Sequence, residues 1–116
     1  MMLSIDNLKK MGAFTGAPVE REIEWAKDGK KLTATVFVLP LSYMSAKADM
    51  TAINAKTDLL AARIAASICD EAGEPVFTPG DITGQADPER GPLDGALTMA
   101  LLAVIGEVNG LGKQQS

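Results

Sequence analysis

Apolar side chains recur at intervals of three and four along the last third of the chain, at Leu93, Ala96, Leu97, Ala100, Leu101, Val104, Ile105 and Val108. That is the spacing of one face of an α-helix, and it predicts a helix over residues 92–111. Pro92 suits the first turn, where its missing amide costs no hydrogen bond. Asp94 sets a negative charge near the positive end of the helix dipole, and Asn109-Gly110 offers the left-handed residue that commonly closes a helix. Burial at about 1.5–3 kcal/mol for each large side chain makes this the core helix. Met99, Leu102 and Ala103 lie off that stripe and are apolar too. A helix apolar around more than half its circumference is either central in its bundle or faces a second partner.

A period of two replaces the helical period over residues 19–39, around the turn pair Asp28-Gly29. A two-residue turn sets Trp25 opposite Leu32, Ile23 opposite Ala34, Arg21 opposite Val36 and Val19 opposite Val38. One face is then apolar apart from Arg21, while Glu20, Glu22 and Glu24 share the other with Thr33 and Thr35. Pairing and pattern agree, so a β-hairpin is expected. Phe37 and Leu39 break the alternation by falling on the polar face. Either helices cover the strand end on both sides, or the two form a surface for a partner or for self-association.

The remaining segments are shorter. Ser4 can cap a helical turn reaching Lys10, with Ile5 and Leu8 inward, before Gly12, Gly16 and Pro18 break it. Pro40 ends the second strand. Ser42 is placed to cap a short helix containing Tyr43, Met44 and Ala48, reaching residue 50. Thr57 or Asp58 caps a longer helix expected to run to about residue 71. Its core stripe is Leu60, Ile64, Ser67 and Ile68, with Ala61, Ala62, Ala65 and Ala66 permitting close approach of neighbours. Gly73 stops it, 75–77 is extended, and Thr78-Pro79-Gly80-Asp81 has the form of a capping box with Pro at the first helical position. Residues 84–91 form a polar loop. The expected fold is α+β and mainly helical: an N-terminal antiparallel β-hairpin packed on a small bundle of three to four helices. One domain spans 1–116, with 1–17 and 112–116 loosely held.

Composition narrows the function. At 116 residues, 47% hydrophobic and 22% charged, the chain can bury a core without metals or disulfides. No apolar run approaches the roughly 18 residues of a membrane span, and no export signal is visible. A single cysteine, Cys69, forms no internal disulfide, so a reducing cytoplasm is the expected compartment. The net charge of −4, without a basic face, makes nucleic acid a poor partner.

The chain has no histidine, which removes the commonest general base and the commonest transition-metal ligand. Cys69 then has no base to activate it and reads as a small packed residue. The Glu20, Glu22 and Glu24 row reads as a solvated strand face. Asp70, Glu71 and Glu74 cluster without the loop pattern of a calcium site. No phosphate-binding glycine motif is present. Neither a cofactor nor a catalytic residue is expected, and binding is the class left open.

The run from Arg63 through Ile68-Cys69-Asp70-Glu71-Ala72-Gly73-Glu74-Pro75-Val76-Phe77-Thr78 resembles the helix, D-x-x-G-x-P-x-F, helix core of phage tail assembly chaperones. The closing phrase Ile105-Gly106-Glu107-Val108-Asn109-Gly110-Leu111 and the hairpin from Trp25 to Val38 are similar to parts of that family. Together they span about residues 19–113. The resemblance implies a non-catalytic phage or prophage protein that binds the helical tape measure protein in the host bacterial cytoplasm. It would keep that protein soluble, help recruit tail tube protein, and be absent from the mature virion. The family often makes a longer form by ribosomal frameshift, for which Gly112-Lys113 is a compatible place. Self-association into a homo-oligomer is a further expectation, since one small domain covers little of a long client. The candidate partner-binding residues are Phe37, Leu39, Phe77, Met99 and Leu102. The competing reading is a structural head–tail or tail component that self-assembles.

Overall fold

A computed structural model of the chain describes residues 2–110. Expectations for residues 111–116, including the loose tail and Gly112-Lys113, lie outside the described residues.

The hairpin forms in the expected register. β1 (Val19–Lys27) and β2 (Lys30–Val38) pair antiparallel with Trp25 opposite Leu32, Ile23 opposite Ala34 and Val19 opposite Val38. Asp28 and Gly29 both adopt left-handed backbone, at φ 52° and 76°. Two successive left-handed residues match the twist of the flanking strands. Ile23 and Val38 enter the core, while Glu20, Glu22 and Glu24 stay exposed.

Two helices and a short strand follow. α2 (Tyr43–Ala55) is capped by Ser42, whose hydroxyl accepts from the Met44 amide while the Ser45 hydroxyl accepts from the Ser42 amide. It runs five residues past the expected end and stops at Lys56, whose backbone is left-handed. α3 (Leu59–Ser67) is capped by Asp58. It ends at Ser67 rather than near residue 71, because Ile68 and Cys69 turn extended and form β3 (Ile68–Cys69). β3 adds to the end of β2, with Val38 opposite Ile68 and Phe37 opposite Cys69. The sheet is therefore three-stranded, in the order β1-β2-β3. Pairing with β2 gives these two residues backbone partners and near-complete burial, an outcome that overrides local helical pattern. Within α3 the buried residues include Ala61, Ala62 and Ala65 beside Ile64 and Ser67, whereas Leu60 is exposed. Ile64, Ser67 and Ile68 of the expected stripe are buried, so Leu60 alone departs from it, and Ala61, Ala62 and Ala65 pack closely beside them.

Asp70 closes the turn after β3. Its Oδ1 accepts from the Ala72 and Glu74 amides, and Gly73 is left-handed at φ 88°. Cys69 then bridges to Pro75. α4 (Pro79–Thr83) carries the expected capping box between Thr78 and Asp81. α5 (Gly95–Val108) starts three residues later than expected, with Asp94 as its cap and Pro92 outside it. A carboxylate accepting from the Leu97 amide fixes that start more strongly than proline does. α5 lies against β1, β2 and α3, burying Leu101, Val104 and Ile105, while Ala96 is exposed. α1 (Ile5–Lys10) forms behind its Ser4 cap but buries no residue; Ile5, expected inward, is 60% exposed. The described residues hold five helices, one at each place where a helical segment is expected.

Candidate partner-binding surface

Exposed large apolar side chains fall mainly in two stretches, Met2, Leu3, Ile5, Met11 and Phe14 near the start of the chain, and α2 with the start of α3. α2 buries only Ser45 and Ala52, while Tyr43, Met44, Met50 and Ile53 are exposed, as are Leu59 and Leu60 next to them. Burial of its small side chains holds α2 against α3, and an Asp49–Arg63 ion pair joins the two helices on one flank.

Along the opposite flank runs an open groove of about 480 Å³. Met44, Ala48 and Ala52 of α2 form one wall, and Ala62, Ala65 and Ala66 of α3 form the floor. The far wall is Pro75, Phe77 and Pro79. Small side chains line the floor, so space remains where larger ones would fill it. A smaller hollow of about 310 Å³, lined by Ile53, Leu59 and Leu60 with Asp49 and Arg63, lies on the other side of the helix pair.

Local chemistry positions the far wall. The Thr78 hydroxyl accepts from the Asp81 amide at 3.2 Å, and Asp81 Oδ2 accepts from the Thr78 amide at 2.8 Å. Arg90 donates to Asp81 Oδ1 at 2.8 Å. Those amide and guanidinium donors hold the Asp81 carboxyl below the usual carboxylate range. The Phe77-Thr78-Pro79 segment is thereby pinned, with Phe77 half-buried and touching both the core and the groove.

The five residues proposed from sequence do not gather at one place. Phe77 lines the groove. Phe37 and Leu39 sit half-buried at the end of β2, Phe37 opposite Cys69 and Leu39 donating its amide to the Ser67 carbonyl. Met99 is exposed on α5, whereas Leu102 packs against the core. The groove residues of α2 and α3 were passed over. Their signal is the four-residue spacing of Met44, Ala48 and Ala52, matched by Ala62 and Ala66. That spacing marks one helical face whose side chains are too small to fill a neighbour's space.

The described residues hold no cluster of three metal-ligating side chains. Cys69 is buried, and loss of solvent pushes its thiol pKa up, with Asp70 adding to the effect. Such a thiol is a poor nucleophile. What the surface offers is apolar shape. The family model for phage tail assembly chaperones, TAC, matches residues 6–109. The chain belongs to that family. The match runs from α1 to the residue that caps the end of α5, so it takes in the sheet, the groove and the core helix. No curated protein and no solved structure matches the chain. Within this chaperone the D-x-x-G-x-P-x-F run is a folding device. Asp70 and Gly73 make the turn, Pro75 pairs with Cys69, and Phe77 meets the core. No described helix is long and apolar enough to cross a membrane.

Proposed function

We propose that this tail assembly chaperone, as a single domain, binds the long helical tape measure protein in the host cytoplasm. It keeps that protein soluble and promotes assembly of the tail tube around it. The observation that supports this reading is the groove between α2, α3 and residues 75–79, bordered by exposed apolar side chains. An amphipathic client helix buries its apolar stripe in such a groove, with large side chains set over the alanine floor. Membership in a chaperone family favours binding over catalysis. Tail tube protein is the second partner in this reading, self-association lets several copies cover one client, and a frameshifted longer form extends the chain beyond Gly112-Lys113.

Co-expression with the tape measure protein of the same phage tests the proposal. The expected result is a client that is soluble and retained on the tagged chaperone, and insoluble without it. Mass spectrometry of purified virions separates this reading from a structural one: the chaperone is absent, whereas a structural tail component is retained in stoichiometric amounts.

A further inference from the structure

The charges around the groove are unlike those of the rest of the chain. The whole sequence carries a net charge of −4, yet the one charged residue lining the groove is Lys47. Lys47 is exposed and has no ion-pair partner among the described residues. The next hollow along, which shares Thr57 and Pro79 with the groove, is lined by Lys56 and Asp58. Asp58 is committed to capping α3 through the Ala61 amide at 2.9 Å, and Asp49 of α2 is taken by Arg63. Lys47 of α2 and Lys56, which follows its last residue, thus have no ion-pair partner among the described residues, and both are cationic.

We infer that the groove receives an acidic amphipathic helix: a segment whose apolar stripe carries large side chains and whose flanking polar positions are Glu or Asp. The alanine floor calls for large apolar side chains from the occupant, because Ala48, Ala52, Ala62, Ala65 and Ala66 leave the volume unfilled. Lys47 calls for a carboxylate beside that stripe, where partial desolvation strengthens the pairing over one in open solvent. A chaperone that is acidic overall repels an acidic segment at long range. At physiological salt that repulsion fades over about 8 Å, and the lysine in contact decides. Identifying this helix as a segment of the tape measure protein rests on the function proposed above; the chemistry of the groove does not.

The test uses the full chain and two fluorescein-labelled 18-residue helical peptides. Both carry leucine along one face; one has Glu at every polar position and its twin has Lys. Anisotropy titrations at 150 mM salt are expected to show the Glu peptide binding about three- to tenfold more tightly. Net charge alone predicts the reverse order, so a preference for the Lys peptide overturns the inference. Lys47→Glu is expected to abolish or invert the preference, and Ala48→Phe to reduce binding of the Glu peptide at least tenfold by filling the groove. Met44→Asp, at a position 63% exposed, gives the same loss without touching the core and covers the case in which Ala48→Phe does not fold. Unchanged binding in Lys47→Glu and Met44→Asp overturns the assignment.

The full-length tape measure protein, tested in parallel, separates the two readings. Retention that survives all three substitutions overturns the groove assignment while the chaperone reading stands. Binding of the Glu peptide by a chain that does not retain the tape measure protein supports the groove chemistry and overturns the client.

Discussion

α2 and α5 are helices of 13 and 14 residues with opposite roles. α5 turns Leu101, Val104 and Ile105 into the sheet and leaves Met99 as its large exposed apolar residue. α2 buries a serine and an alanine and leaves Tyr43, Met44, Met50 and Ile53 in solvent. Apolar surface costs free energy when it faces water, so a helix that spends its small residues on packing and its large ones on solvent is arranged for an incoming surface. The lesson is that large apolar residues mark the core on α5 and exposed surface on α2; only the fold distinguishes the two.

Substitutions can break that contrast. The largest effect is expected from Leu101→Ala, which removes a fully buried side chain next to Ile64 and Val38 in the core cluster. It should destabilise the fold by about 2–5 kcal/mol in urea unfolding. A change near zero would mean that α5 is not the core wall. Leu102→Asp on the same helix should cost about 1–3 kcal/mol, since a carboxylate replaces a side chain that packs against the core. Ser42→Ala removes the cap of α2 and should cost about 1 kcal/mol, seen as faster amide exchange in the first turn of α2 with α5 unaffected. Met99→Asp and Met50→Asp, both at exposed positions, should each stay within about 0.5 kcal/mol. If Met50→Asp unfolds the chain, α2 belongs to the core and the contrast fails.

Acid sharpens the same contrast. The amide hydrogen bond from Leu97 and the ammonium of Lys27 hold Asp94 below the usual carboxylate pKa, and Thr78 and Arg90 do so for Asp81. A carboxylate whose folded pKa is lowered stabilises the fold fully above its unfolded value of about 3.9. That contribution is lost as pH falls through the folded value. Melting temperature should therefore fall as pH is lowered from 5 towards 2, and less steeply in Asp94→Asn, which keeps a cap that does not titrate. Lys27 is raised by the same pairing with Asp94. Its contribution is present below about pH 10.4 and lost above the raised value, so melting should drop again in strong alkali.

Much of this architecture was legible in the sequence. The hairpin register followed from Asp28-Gly29 and the period-two pattern, because a two-residue turn permits one pairing. The α4 capping box and the body of α5 followed from local rules. The end of α3 did not. Ile68 and Cys69 continue a helical apolar pattern, and only β2, thirty residues earlier, draws them into a strand. The groove was hidden for a similar reason. Its walls come from α2, α3 and residues 75–79, and alanine at helical spacing reads as packing alone until the fold shows that part of that face lines open space. Phe77 is the one groove residue that the sequence marks as a candidate contact, since an aromatic side chain stands out where alanines do not.

The short antiparallel pairing of β2 with β3 makes the helix pair a closed excursion from the sheet. The chain leaves at Leu39 and returns at Ser67, where the two are joined by a 2.8 Å amide-to-carbonyl hydrogen bond. Lys56 lies exposed in the turn at the far end. A tryptic cut there severs the covalent path, yet the contacts of β2 with β3, of α5 with β1 and of α2 with α3 all bridge it. Fragments 1–56 and 57–116, made separately, are therefore expected to reassemble on mixing, read as recovery of helical circular dichroism, and to restore the groove. Each half then supplies one of its helices.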